Sequence, residues 1–367
     1  MSHSTAALTE ADRLMTICNS CRYCEGLCAV FPAMEMQRAF SDGDLNHLAN
    51  LCHGCGACYH DCQFAPPHEF AVNLPQTLAR VRSESYGHYA WPAAARPIFA
   101  KHGLALALGC TVFFALFLLG FIAAHAPGAI WSAHLGAGRF YALMPHGAMV
   151  AIFGAAFLWM LLAVFMGARA FWTDCGARNL CAGDHLRASH DAARLTYLDG
   201  GGMGCFNEDD APADRRRMWH HMVFCGFLLC LASTSLATLY HYGFEVKAPY
   251  AWWQLPPLLG IAGGIGLVIG CLGLLHAKTA RLGALKAQEF RGMEYGFIAI
   301  LLLTGASGLA LRAAGHTPAL GPLLALHLGA VLTFFLTLSY GKFVHGLYRY
   351  LALARYARDR RQGRGTK

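Results

Sequence analysis

Charged side chains are scarce in this sequence. Asp, Glu, Lys and Arg make up 14% of its 367 residues, whereas hydrophobic residues make up 56%. Soluble domains carry roughly 25% charged residues, so this composition excludes an ordinary soluble protein and favours a membrane protein. The long uncharged runs begin only near Phe99. We therefore expect a soluble domain over residues 1–98, a membrane domain over 99–349 and a basic tail over 350–367.

The N-terminus has no basic segment followed by an apolar core, the pattern of a secretory signal peptide. We therefore expect the first domain to remain in the cytoplasm. Because that compartment is reducing, its eight closely spaced cysteines are expected to be metal ligands or redox groups rather than disulfides. The net charge of +8 comes from basic residues beside apolar segments. Membrane topology explains that charge, and we expect no nucleic-acid partner.

The eight cysteines form two runs with the same spacing, Cys-x2-Cys-x2-Cys-x3-Cys. This is the bacterial ferredoxin spacing, in which three thiolates of a run bind one [4Fe–4S] cluster and the fourth binds the other cluster. The rule gives two ligand sets: Cys18, Cys21, Cys24 and Cys62 for the first cluster, and Cys52, Cys55, Cys58 and Cys28 for the second. A zinc site is the alternative, but each run crowds its four thiolates too closely for one tetrahedral ion.

No proline directly follows the fourth cysteine of either run. Pro32 and Pro66 each come four residues after it. The 23 residues between the runs are largely helix-compatible. Together these features predict a helical dicluster ferredoxin-like domain and a mainly α fold.

From Lys101 onward the sequence contains six stretches of about 20 apolar residues, the length that crosses a bilayer. They lie near residues 103–124, 145–167, 221–240, 254–276, 295–314 and 321–345. Lys and Arg are concentrated after the fourth and sixth stretches. By the positive-inside rule both termini and the loop 168–219 are expected in the cytoplasm. We expect a multi-pass protein of the inner membrane.

Histidines within the spans are candidate haem ligands, since ionisable residues in a membrane are costly and usually functional. His327 and His345 are 18 residues apart, which on one helix places both on one face about 27 Å apart. One helix could therefore hold one or two b haems. We expect His345 to pair with His220 and His327 with His241. The reserve candidates are His221, His276 and His146.

The predicted loop 168–219 contains three further cysteines, Cys175, Cys181 and Cys205. Their spacing matches no ligand pattern, so ordinary thiols are the simpler interpretation and a third metal site is the alternative. The glycines around Gly200 are consistent with backbone that approaches a ligand or the first domain, but they form no nucleotide-binding fingerprint.

Several segments resemble the tricarballylate-utilisation protein B family, also called the CitB type. They are LMTICNSCRYCEGLCAVFPAME, LCHGCGACYHDCQFAPPHEFAVNLP, LTYLDGGGMGC, RRRMWHHMVFCGFLLCLAST and SYGKFVHGLYRYLALAR. The pattern around His327 and His345 is also similar to the gamma subunit of membrane nitrate reductases, whose last span ligates two b haems. The resemblance implies an electron shuttle that reoxidises the FAD of a tricarballylate dehydrogenase and reduces membrane quinone.

The sequence contains no flavin fingerprint and no paired carboxylates or activated nucleophile. We therefore expect an electron-transfer component rather than a stand-alone dehydrogenase. Alternative donors are another organic-acid dehydrogenase or a heterodisulfide-type reductase, and a redox sensor or acid transporter is a different class. The quinone site is not located, because the groups Tyr340, Lys342 and Tyr348 or Trp252, Trp253 and Gln254 are equally explained as interfacial anchors.

Overall fold

The computed structural model describes residues 3–176, 178–198, 200–202, 204–206, 211–213 and 215–363. Within these ranges the chain is helical, and the extended structure is limited to one isolated bridge between Cys205 and Ala213. The expectation of a mainly α fold is confirmed.

The first domain is built from five helices: α1 (Ala6–Cys21), α2 (Val30–Glu35), α3 (Asp42–Leu51), α4 (Ala57–His60) and α5 (Leu74–Tyr89). Ser41 caps α3 in a reciprocal arrangement with Asp44, which satisfies backbone donors at its start. Leu14, Leu45 and Leu78 are fully buried where α1, α3 and α5 meet. This core fixes the end of α1, which carries Cys18 and Cys21, and the end of α3, directly before Cys52.

Six helices in the described part of the chain are long and apolar enough to cross a membrane. They are formed by α6 (Arg96–His125), α8 (His146–Asp174), α10 (Arg215–Gly243), α11 (Leu255–Ala280), α12 (Arg291–Ala314) and α13 (Leu320–Thr337), with the short α7 (Arg139–Leu143) between the first two. Large apolar side chains such as Phe113 and Phe165 are more than half exposed. Lipid accounts for such exposure, since these faces need no cover from water.

The membrane helices pack in two adjoining groups. Helix α10 lies against α11, and the Cβ of any side chain at Gly226 would come 2.7 Å from the backbone of Leu267. Small residues of this kind allow close helix approach in membranes. Helices α6, α12 and α13 pack against one another, and α11 joins the groups through α12.

The last span ends earlier than the sequence predicts. Helix α13 stops at Thr337, two 3-10 turns follow at Leu338–Tyr340 and Lys342–Val344, and α14 (His345–Arg361) begins at the histidine. Between the turns Gly341 has extended backbone (φ −96°, ψ 179°), and glycine is a poor helix former. The expectation that His327 and His345 share one face of a single helix is therefore wrong.

Most of the predicted basic tail belongs to helix α14, which ends at Arg361. Helix α14 packs against α3 and against α9 (Ala182–Arg194), which lies in the predicted loop 168–219. Arg355 of α14 forms an ion pair with Asp44 of α3, with 2.5 Å between Nη2 and Oδ1. Residues 364–367 of the predicted tail lie outside the described residues.

An aromatic cluster joins the first domain to the membrane domain. The rings of Phe171 in α8 and Tyr348 in α14 stack with centres 4.8 Å apart. Tyr89 of α5 meets Phe171 edge-on at 5.3 Å. All three belong to one buried core, so the cysteine-rich domain is held against one end of the membrane helices.

Candidate metal centres

The first predicted thiol set converges at the end of α1. Arg22 ends this helix in a left-handed conformation (φ 55°), and its N–H donates to Cys18 O. Burial and the neighbouring Cys62, Cys24 and Cys21 raise the pKa of the Cys18 thiol to about 12. The set lines an opening with about 430 Å³ of empty space. Cys62, from the second run, therefore lies with the first three cysteines, as the ferredoxin rule predicts.

The second thiol set is organised around α4. Gly54 (φ 61°) and Gly56 (φ 90°) turn the chain sharply before this helix, a conformation that glycine adopts without steric cost. Burial and the neighbouring Cys52 and Cys55 raise the pKa of Cys28. Burial, followed by Cys55, Cys28 and Cys52, likewise raises the pKa of Cys58. Both predicted sets are thus brought together, while their binding of clusters stays a prediction.

The donor chemistry of the two thiol sets, four cysteines each, fits iron–sulfur clusters. Among the described residues, no three His, Cys, Asp or Glu side chains converge closely enough for one metal ion. A four-iron cluster instead takes its thiolates at separate corners, whereas zinc draws its ligands to one centre. Gly54 N donates to Cys52 Sγ at 3.3 Å, and the backbone of Val30 also donates to Cys28. Such bonds stabilise the negative charge on cluster sulfur.

Four arginines converge on the backbone of the second cysteine run, and we call them the arginine clamp: Arg82, Arg216, Arg281 and Arg349. Arg82 Nη1 and Arg349 Nη2 donate to Cys52 O at 2.5 and 2.8 Å. Arg216 Nη1 and Arg281 Nη2 donate to Gly54 O at 3.0 and 3.1 Å. The clamp places positive charge from four separate segments around one thiol set.

The clamp is electrostatically costly. Burial, followed by the charge of Arg216, lowers the pKa of Arg281 to about 10, and burial also lowers the pKa of Arg349 to about 10. An anionic group among these arginines would offset their repulsion. The sequence does not reveal the clamp. Basic residues beside apolar spans, such as Arg216, Arg281 and Arg349, indicate membrane topology, and Arg82 lies far from them in the chain.

His220 and His345 face each other beside the second thiol set. Their ring centres are 6.0 Å apart and the rings are nearly perpendicular, at 84°. A metal–imidazole bond is about 2 Å long, so two axial histidines with iron between them have ring centres about 6 Å apart. His345 Nδ1 lies 2.5 Å from Lys342 O. That bond orients the ring and leaves Nε2 for a metal, as in many metal-ligating histidines.

The histidine pair is close to the second run of cysteines. Burial, followed by the charges of Arg349, Arg216, Arg82 and His220, lowers the pKa of His53, which directly follows Cys52. Two of the four predicted haem candidates thus have the ring-centre separation of a bis-histidine site. Haem binding there stays a prediction.

The predicted partnership of His327 with His241 is not formed. The ring of His241 stacks on the reserve candidate His146 with centres 4.0 Å apart, too close for an iron between them. His327 lies against α12, with its Nδ1 3.1 Å from Ser307 Oγ. The physical reason is packing: α10 packs mainly against α11, whereas α13 packs mainly against α6 and α12. Helical periodicity carries no information about which helices are neighbours.

The other two reserve histidines do not join the facing pair. His221 uses its ring nitrogens on backbone oxygens, with Nδ1 3.1 Å from Arg217 O and Nε2 3.2 Å from Ala193 O. His276 lies near the end of α11, where its backbone oxygen accepts from Thr279.

The glycine-rich segment before α10 covers both cysteine runs. A Cβ at Gly200 would lie 3.7 Å from Cys55 Sγ, and one at Gly201 would lie 3.0 Å from Gly26 O. Cys205 is buried near Cys55, and its thiol donates to Leu198 O at 2.8 Å. The repeated glycines were the sequence signal for this close approach. Cys175 and Cys181 lie elsewhere, in the main core and at the start of α9, so the three cysteines form no common site.

The fold and the site define a class of protein: a helical domain with two ferredoxin-type cysteine runs, seated on six helices long and apolar enough to cross a membrane. The family model for citrate utilization protein B matches residues 99–366, and the model for its Fer4-like domain matches residues 11–88. The chain belongs to the citrate utilization protein B family. It is 44% identical to the Escherichia coli citrate utilization protein B over 356 residues, which cover 97% of this chain and 93% of that protein. No solved structure matches the chain.

Proposed function

We propose that this protein carries electrons from a reduced flavoprotein dehydrogenase to membrane quinone by way of two [4Fe–4S] clusters and a b haem. The observation that carries the proposal is the spatial order of the candidate sites. The two crossed thiol sets adjoin each other, and the second set lies beside the facing pair His220 and His345. Clusters and haem supply one-electron chemistry, and the protein positions them and tunes their potentials.

The two thiol sets have different surroundings, although seven of their eight cysteines are half-buried and Cys52 alone of the eight is buried. Tyr23, next to Cys24 of the first set, is 73% exposed. Cys52 of the second set is buried and bonded to the arginine clamp. The first set therefore faces the surface that a soluble donor can approach, while the second faces the histidine pair. This order supports transfer from donor to membrane.

The donor in this proposal is an FAD-dependent dehydrogenase of the tricarballylate type. The relative from E. coli bears the name citrate utilization protein B, and citrate and tricarballylate are both tricarboxylates. A dehydrogenase for another organic acid, or a heterodisulfide-type reductase, would use the same exposed end of the first set. The proposed orientation has both termini in the cytoplasm and the spans in the inner membrane, in agreement with the positions of Lys and Arg.

Metal analysis and reoxidation kinetics of the purified protein test the proposal. We expect about eight iron and eight labile sulfide per chain for two clusters, and one b haem for the single facing histidine pair. Dithionite-reduced protein should be reoxidised by a water-soluble quinone analogue. Reduced protein that stays reduced in the presence of quinone would contradict an electron carrier to quinone. Uptake of tricarboxylate by protein-containing liposomes would favour the transporter instead.

A further inference from the structure

A cleft opens beside the histidine pair, between α6, α12 and the turns that follow α13. It opens to its surroundings, so that its empty space of about 410 Å³ includes open solvent, and its lining includes Phe99, Phe297, Tyr340, Gly341 and Phe343. The rings of Phe99 and Tyr340 stack with centres 4.7 Å apart at an interplanar angle of 11°. Flat aromatic walls suit a planar apolar ring, which gains from offset stacking and edge contacts.

The cleft lies at the boundary of the membrane. Its residues Phe99 and Gly341 flank the spans that begin at His102 and end at Tyr340. This is the end of the bundle that carries the cysteine-rich domain, since Tyr340 Oη donates to Pro92 O at 2.9 Å. A ligand with an apolar chain and a polar head is best accommodated at such a boundary.

One aromatic side chain separates the cleft from the histidine pair. The ring centre of Phe297 lies 6.1 Å from that of His345 and 6.0 Å from that of Phe343. A molecule in the cleft would therefore be separated from His345 by the ring of Phe297.

A buried charged group lies behind the lining of the cleft, since Glu294 follows Met293 and Lys342 stands between Gly341 and Phe343 in the chain. Glu294 forms ion pairs with Lys278 and with Lys342, the latter with 2.5 Å between Nζ and Oε1. All three side chains are at most a quarter exposed. Glu294 lies one turn before Phe297 and next to Met293, which also lines the cleft. Buried ionisable groups in a membrane-spanning helix are costly and mark functional sites.

We propose that this cleft binds the ring of the membrane quinone, with its polar edge toward the Glu294 ion pairs. The proposal deepens the function proposed above and rests on it. Quinone would take two electrons, delivered singly from the donor through the bound centres, and two protons from the aqueous phase, and would leave as quinol. The aromatic walls hold the ring, and the short path past Phe297 serves the electron transfer.

Two glycine substitutions distinguish an effect on the cleft from a general effect near His345. Gly341 lines the cleft in an extended conformation, and a Cβ there would meet its nearest atom at 3.6 Å, an ordinary contact. Gly341→Leu should therefore fold and fill part of the cleft. Gly346→Leu is the matched control, because a Cβ at Gly346 meets no atom within 4 Å. Both positions lie within four residues of His345 and receive the same side chain.

Quinone-analogue binding to the holoprotein in detergent is the main measurement, together with haem content. We expect Gly341→Leu to weaken binding about tenfold or more, equivalent to about 1.4 kcal/mol, with haem content and reduction by dithionite unchanged. Gly346→Leu should match the parent protein. Unchanged binding in Gly341→Leu would overturn the site. Loss of haem from Gly341→Leu alone would also overturn it, since the cleft would then belong to the haem.

Photolabelling of the unsubstituted holoprotein gives a test that does not depend on the folding of a variant. An azidoquinone should label peptides from residues 99–107, 291–300 or 334–344, which line the cleft, and excess quinone should prevent the labelling. Protected labelling elsewhere, together with normal reoxidation by quinone, would refute the cleft and leave the proposed function intact. If the parent protein neither binds quinone nor is reoxidised by it, the proposed function fails and the site with it.

Discussion

The imidazole rings of His220 and His345 face each other across 6.0 Å, although 125 residues separate them in the chain. His220 lies in the second turn of α10 and His345 is the first residue of α14. The contact exists because the break after α13 turns the chain at the same end of the bundle from which α10 begins. The two helix starts, rather than one long helix, create the candidate haem site.

Replacement of either facing histidine should remove haem. We expect His220→Ala and His345→Ala each to abolish the low-spin b-type signal in reduced-minus-oxidised spectra, because one axial ligand is lost. The matched control is His146→Ala, since His146 stacks on His241 too closely to bracket an iron. A normal spectrum without His220 and His345, or loss of the spectrum without His146, would contradict this assignment.

The crossed thiol sets predict which cluster each distant cysteine serves. Cys62→Ser should impair the cluster held by Cys18, Cys21 and Cys24, whereas Cys28→Ser should impair the other. Electron paramagnetic resonance of the reduced protein should show the loss of a different cluster signal in each variant, with up to about four irons lost per chain. Cys181→Ser, at an exposed thiol, should retain both signals. Cys21→Ser identifies the signal of the first cluster; loss of that signal in Cys28→Ser rather than in Cys62→Ser would exclude the crossing.

The arginine clamp should raise the reduction potential of the second cluster, because positive charge favours its more negative reduced state. Arg281→Gln removes one charge and its bond to Gly54 O. We expect the potential of that cluster to fall by tens of millivolts, where about 59 mV corresponds to a tenfold change for one electron. A redox titration measures it.

Arg13→Gln is the control for the clamp, since Arg13 is exposed and paired with Glu10 within α1. Its effect on the second cluster should be small. An unchanged potential in Arg281→Gln, with the cluster present, would show that the clamp is purely structural.

The ion pair between Asp44 and Arg355 should hold α14 on the first domain in a pH-dependent manner. Burial raises the pKa of Asp44, but hydrogen bonds from Ser41 and Arg355 outweigh it and hold the pKa below its usual value. A depressed folded-state pKa stabilises the fold above the unfolded value of about 3.9, and this contribution is lost as the pH falls below it. Asp44→Asn should therefore destabilise the fold by about 2 kcal/mol at neutral pH.

Hydrogen exchange of α14 in parent and variant at pH 7 measures this loss. Glu10→Gln breaks an exposed pair within α1 and should leave α14 protected, since exposed pairs contribute little. Equal protection of α14 in the parent and Asp44→Asn would show that the pair does not anchor this helix.

The cysteine spacing and the length of the apolar runs were sufficient to predict the ferredoxin-like domain and the six membrane helices. Both are local properties: a ligand run lies within one loop, and a span is a continuous apolar stretch. The crossing of Cys28 and Cys62 between sets also follows from spacing, because each run can place only three thiols around one cluster.

Tertiary structure alone decided which distant residues meet. Periodicity placed His327 and His345 on one helix, but the extended backbone at Gly341 ends that helix first. The pairing of His241 depended on whether α10 lies beside α13, which no local pattern encodes. The arginine clamp and the cleft likewise arise only when segments far apart in sequence pack together. Local chemistry fixes the ligands that a sequence offers, and packing decides the neighbours that each ligand receives.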